Sequence, residues 1–186
     1  MRFNKHSNLE GQHSFLSASQ YQWIRYDEEK LKIRYKTIMA AAEGTRLHEL
    51  ASELIELGIS LPLENKTLNL YVNDAIKYDM KTEVVLFYSY NAFCTVDAIV
   101  YDEVDRYLRI HDLKNGSSRA SMDQLKIYAA YFCIEYSINP NDIMIELRIY
   151  QNDEIVSMIA LAEDILYIMA KIRGFNILIE TIKIGG

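Results

Sequence analysis

The sequence predicts a mixed α/β domain, and three observations carry that reading. Apolar residues recur at helical spacing from Ser17 to Gly58, three β-rich runs separated by turn residues begin at Glu83, and the helical pattern returns only at Ser121 and Ala162. The chain has 186 residues, 50% of them apolar and 25% charged, enough for one domain with a buried core. Seven glycines and two prolines leave no low-complexity linker. Residues 1–16 read as a poorly ordered polar segment, and 17–186 as a single domain.

Each element follows from its local pattern. Ser17 or Ser19 suits the cap of a first helix carrying Trp23, Ile24, Leu31, Ile38 and Met39. A second helix is expected from Thr45 to Leu57, with Leu47, Leu50, Leu54 and Leu57 on one face and Gly58 as its stop signal. A shorter helix opens at Thr67, after a turn at Pro62. The runs Glu83–Tyr90, Phe93–Asp102 and Tyr107–Leu113 read as consecutive antiparallel strands, with turns at Asn91 and Asp105. Ser121-Met122-Asp123-Gln124 has the form of a capping box, which opens a helix to about Tyr136. Strands at Met144–Tyr150 and Glu154–Met158 flank a turn at Asn152-Asp153, and a last helix starts at Ala162.

Composition narrows the function classes. The net charge of −6 is unlike that of a general nucleic-acid binder, although carboxylates that hold divalent cations also make a chain acidic. Apolar stretches are short and broken by charge, so no membrane partner is expected, and the opening residues lack the apolar core of a signal peptide, which predicts a cytoplasmic location. Cys94 and Cys133 are too few for a disulfide framework or an iron–sulfur cluster.

The chemistry concentrates around Asp97 and the run His111-Asp112-Leu113-Lys114. Residues two apart on a strand share a face, so Asp112 and Lys114 project together while Leu113 turns into the core. If the two strands form a hairpin, Asp97 and Asp112 sit side by side near its open end. Two such carboxylates repel unless a hard cation lies between them. A lysine beside that cation orients water or steadies charge at a phosphate. A surface ion pair explains an isolated Asp-x-Lys equally well. Gln124 and Tyr128, four apart, share a helix face in reach of a phosphate or an ordered water, or are merely a capping glutamine and a core tyrosine. His48 lies beside an apolar stripe, where imidazole serves either packing or metal ligation.

Taken in order, Gly44-x-x-x-His48-Glu49, a glutamate-led strand, Asp97, Asp112-x-Lys114 and Gln124-x-x-x-Tyr128 resemble the RecB-like branch of the PD-(D/E)XK nuclease superfamily, above all small phage-encoded RecB-like exonucleases. The resemblance covers roughly Leu16 to Tyr136. It implies a restriction-endonuclease-like core, a mixed central sheet flanked by helices. It further implies that His48, Asp97, Asp112 and the backbone carbonyl of Leu113 ligate Mg²⁺ or Mn²⁺, with Glu83 at the place of a first-strand carboxylate that some members use. Asp97, Asp112, Lys114, Gln124 and Tyr128 would form the catalytic set. The chain departs from the family where Cys94 replaces a glycine three residues before the first aspartate, and where Asp112 replaces a glutamate.

The implied activity is hydrolysis of phosphodiester bonds in DNA, most simply by an exonuclease of recombination, repair or phage DNA metabolism, with a homo-oligomer or a recombination partner protein in attendance. The alternative is a nuclease-fold protein without turnover that binds DNA or another protein. Arg46, Arg119 and Lys126 lie near the site in sequence and are expected at the DNA backbone. Lys30, Lys32, Arg34 and Lys36, interleaved with aromatics, read as a solvated helix face.

Overall fold

The computed structural model describes residues 14–116 and 120–185. Residues 1–13 of the segment expected to be poorly ordered fall outside that range. The chain divides into two compact units, Met1–Glu43 and Gly44–Gly186.

In the first unit, a 3-10 helix spans Ala18–Arg25, where the spacing predicts an α-helix. The Trp23 indole N–H donates to the Ser17 carbonyl at 2.9 Å and holds this tight turn closed. The chain then restarts: the Asp27 carboxylate accepts the Lys30 N–H at 2.8 Å and so caps helix α1, Glu28–Glu56. Phe15 packs edge-on to Tyr35 at 5.5 Å, Lys30 lies over the Tyr26 ring at 5.0 Å, and Lys32 pairs with Glu29 at 3.0 Å.

The expected break before Thr45 is absent, and α1 runs through it. One helical glycine costs about 1 kcal/mol, too little to interrupt a run of good helix formers. Gly58 does end the helix. It adopts φ +66°, and Ile59 N–H reaches back to the Leu54 carbonyl at 2.9 Å.

The second unit is a five-stranded mixed sheet in sequence order, flanked by helices: β1 Lys81–Ser89, β2 Ala92–Asp102, β3 Tyr107–Leu113, β4 Met144–Gln151 and β5 Glu154–Ile159. The first three strands are antiparallel, as expected. Helix α3, Asp123–Glu135, crosses over so that β4 lies parallel to β3, and β5 returns antiparallel. Helices α2, Thr67–Lys77, and α4, Ala162–Gly185, complete the unit. Among the described residues, no helix is long and apolar enough to cross a membrane.

Two cores lie on opposite faces of the sheet. The larger joins Val96, Ile99, Leu108, Ile110 and Leu147 to α3 and to Ile165 and Met169 of α4. The smaller joins Ala98, Leu113 and Tyr150 to Ala51 and Ile55 of α1 and to Tyr71, Val72 and Ala75 of α2. The capping box is not made. Ser121 Oγ accepts the Asp123 N–H at 3.1 Å, but the Gln124 side chain turns elsewhere.

β1 and β2 bend together. Thr82 bonds Ser52 of α1 at 2.6 Å, whereas Val84 and Leu86 pack in the larger core, so the alternation slips by one at Glu83, which adopts φ +51°. Across the ladder, Val96 and Ile99 share the larger core although they are three apart, and the slip falls at Asp97 and Ala98. A non-glycine residue held left-handed inside a strand carries local strain. That strain sits at the carboxylates described next.

Candidate metal centre

Three elements bring their polar side chains to one point. His48 lies one turn before Ala51, whose burial in the smaller core sets the face of α1 turned to the sheet. Glu83 comes from the bend in β1 and Asp97 from the bend in β2. One ligand atom from each of His48, Glu83 and Asp97 lies within 4.8 Å of the others. His48 Nδ1 is 3.4 Å from Asp97 Oδ2, and the same oxygen accepts the Leu113 N–H at 3.0 Å. The β2–β3 ladder ends at Ala98 opposite His111, so the next step sets Asp97 against Asp112 at the open end of the hairpin.

β3 presents Asp112 and Lys114 on the face towards α3, with Leu113 fully buried between them in the smaller core. Lys114 Nζ lies 3.1 Å from Asp112 Oδ1, 3.0 Å from Asp112 Oδ2 and 3.0 Å from Gln124 Oε1. The Gln124 amide in turn donates to the Tyr128 hydroxyl. One polar chain thus runs from a buried carboxylate through an ammonium to the first turn of α3. Asp112 stands outside the His48–Glu83–Asp97 triad and is turned to Lys114, so the expected ligand set is gathered only in part.

The charges are unbalanced. Burial, and then the neighbouring Asp97 charge, push the Asp112 carboxyl up to about 6, with Lys114 opposing. The hydrogen bond to Asp97 is the main cause that raises the His48 imidazole, against the opposing effect of burial, and the backbone of Leu113 adds to the rise. Burial and Asp97 likewise raise Glu83. Burial holds the Tyr128 phenol up at about 12, so it stays a donor. Asp112 Oδ2 is sealed from solvent and, despite the ammonium at 3.0 Å, accepts no well-directed hydrogen bond. Three carboxylates, an imidazole and one lysine together form an oxygen-rich donor set short of positive charge. Such a set fits a hard divalent cation, with the histidine favouring Mn²⁺ as well as Mg²⁺.

The remaining expected residues are placed unevenly. Arg46 is exposed on α1, two residues before His48. Lys126 does not face the site: it pairs with Asp164 of α4 at 2.7 Å and ties the two helices together. Arg119 lies outside the described residues. Cys94 packs against the larger core, where burial pushes its thiol up to about 12.

Sequence reasoning missed two participants. Tyr71 of α2 is buried against Tyr150 at 5.4 Å, and burial with the negative charges of Asp97, Asp112 and Glu83 holds its phenol well above the ordinary value. Its spacing with Val72 and Ala75 signals only a core position. Gln151, at the end of β4, accepts the Ala120 N–H at 3.2 Å and donates to the Gly116 carbonyl, bracketing the connection between Lys114 and α3. No local pattern announces a contact between residues so far apart in the chain.

No family model matches the chain, and no curated protein matches it. Among solved structures, the crystal structure of SSO0001 aligns with a TM-score of 0.37 at 15% identity, over 83% of this chain and 70% of that one. A likeness that low carries no argument about fold or function.

Proposed function

We propose that the protein is a divalent-cation-dependent nuclease that hydrolyses phosphodiester bonds in DNA from an end, on a restriction-endonuclease-like core of the RecB-like kind. The observation that carries this reading is the Lys114 ammonium, fixed between the buried Asp112 carboxylate and Gln124 and set beside the His48–Glu83–Asp97 cluster.

His48, Glu83 and Asp97 would hold Mg²⁺ or Mn²⁺, with Asp112 and the Leu113 carbonyl, the other ligands the resemblance implies, next to them. The cation supplies Lewis acidity towards the phosphate and the attacking water. The protein's own groups do the rest. Asp112 aims Lys114, whose ammonium would donate towards the water or the phosphate oxygen that gains charge. Gln124 holds Lys114 from the other side, and Tyr128 orients Gln124. Asp97 fixes the His48 ring while its Oδ2 anchors the Leu113 backbone, so one carboxylate ties the cluster to the strand end.

The test is digestion of end-labelled linear DNA with Mg²⁺, Mn²⁺ or EDTA, alongside closed circular DNA and the Lys114→Ala protein. Cation-dependent loss of label from linear DNA only, absent in the variant, is the expected result. Absence of cutting with either cation overturns the enzymatic reading. If cation binding persists in that case, the site binds without turnover.

A further inference from the structure

Beyond the bend at Glu83 and Asp97, β1 and β2 continue as a two-stranded ribbon. One face, formed by Val84, Leu86, Tyr88, Cys94 and Val96, packs in the larger core. The other is bare. Val85 is 56%, Phe87 43% and Phe93 58% exposed, and Thr95 beside them is exposed as well. Phe87 stands directly opposite Phe93, and Val85 opposite Thr95. Tyr90, at the turn, leans edge-on against Phe87 at 5.7 Å. None of these side chains carries a charge, in an otherwise acidic molecule.

The occupant follows from position, composition and size. One step further along the same ladder lie Glu83 and Asp97, so the aromatic face leads into the metal centre; at the rise of a strand, Phe93 is about 13 Å from Asp97. A protein partner fits poorly. A stable interface needs about 800 Å² from each side, more than four or five side chains supply. An added strand would have to displace Glu135, which takes the Phe87 N–H at 2.8 Å at the open edge of the sheet. Small, uncharged, aromatic surfaces on strands suit the faces of unpaired bases, which stack without regard to sequence.

We propose that this ribbon face stacks the bases of single-stranded DNA as the strand enters the site. The proposal rests on the nuclease reading and adds its substrate form: unpaired strand, gripped by Phe87, Phe93 and Tyr90, with its phosphates led towards the His48–Glu83–Asp97 cluster.

The experiment is fluorescence anisotropy of a labelled oligothymidylate and of a blunt duplex, with Mn²⁺, in a Lys114→Ala background that cannot cut. Phe87→Ala/Phe93→Ala is added to that background, and thermal melting confirms that both proteins fold alike. The expected result is a loss of oligothymidylate affinity of about tenfold or more, with duplex binding unchanged. Equal affinity in the two proteins overturns the stacking face and leaves the nuclease reading standing. So does a dimer that Phe87→Ala/Phe93→Ala dissociates while oligothymidylate affinity stays the same, because the face then belongs to a second copy. If the parent protein binds neither DNA, the stacking face and the nuclease reading fail together.

Discussion

Two polar clusters lie back to back across β3, and adjacent residues of one strand feed them. Asp112 and Lys114 face α3. His111, one residue earlier, faces α2 and enters a different network. There Tyr150 OH donates to Asp74 at 2.7 Å and lies 3.1 Å from His111 Nδ1. Arg148 bonds Asp74 at 2.8 Å and Glu146 at 2.7 Å, and Arg109 pairs with Glu146 at 3.0 Å. Arg109 is also clasped between the rings of Tyr78 and Tyr107 at 4.4 and 4.0 Å. Two arginines meet two carboxylates, and the ledger of charge closes. In the Asp112 cluster, three carboxylates meet one lysine and one histidine. The closed cluster is balanced within itself, and the open one keeps an excess of negative charge that a bound cation would offset, as proposed above.

Substitutions should therefore act differently on the two sides. The largest effect on turnover belongs to the open cluster: Lys114→Ala should lower hydrolysis by about a thousandfold, in single-turnover assays, with the protein still folded. In the closed cluster, Arg148→Ala leaves Asp74 and Glu146 without their partner. It should cost about 3 kcal/mol in urea unfolding while cation binding persists. A Lys114→Ala protein that unfolds, or an Arg148→Ala protein as stable as the parent, would break the contrast.

Asp112→Asn sharpens it. Because the folded carboxyl is raised from 3.8 to about 6, its stabilising contribution is present at acid pH and lost as pH rises through that range. Above pH 6 the ionised group is a burden, so the amide should stabilise the cation-free protein by up to about 3 kcal/mol while abolishing turnover. Chemical denaturation at pH 7.5 reads the first effect and the digestion assay the second.

His111 carries the opposite sign. Burial, with Arg148 and Arg109 adding to it, lowers its imidazole from 6.5 to about 3. The folded chain keeps it neutral, whereas the unfolded chain takes a proton below 6.5. Stability should fall as pH drops from 6.5 towards 3, by at most about 1.4 kcal/mol per pH unit from this group. His111→Phe should flatten that limb of the profile. An unchanged slope would assign acid sensitivity to other groups.

The sequence made one cluster legible and hid the other. Asp112 and Lys114 stand two apart on a strand and Gln124 and Tyr128 four apart on a helix, so local periodicity alone places each pair on one face. The closed cluster draws Asp74, Arg109, Glu146, Arg148 and Tyr150 from three elements, and only the fold makes them neighbours. The Lys126–Asp164 pair is hidden for the same reason, since Asp164 lies a whole strand pair away in the chain. Element boundaries held where alternation was clean, as in β3 and β4. They failed at Ala18–Arg25, where an indole bond favours the tighter helix, and at Gly44, where the helical penalty is too small to stop α1. The turn of Glu83 to φ +51° has no sequence signal, because glutamate carries no preference for that conformation.

On the proposed reading, the open cluster would hold a divalent cation and the closed one would not. Calorimetric titration of Mn²⁺ into the wild type, Asp97→Asn and Asp74→Asn tests it directly. Binding by the wild type, loss in Asp97→Asn and retention in Asp74→Asn are the expected results. A wild type that binds no Mn²⁺, or an Asp97→Asn protein that binds it as tightly as the wild type, would contradict it.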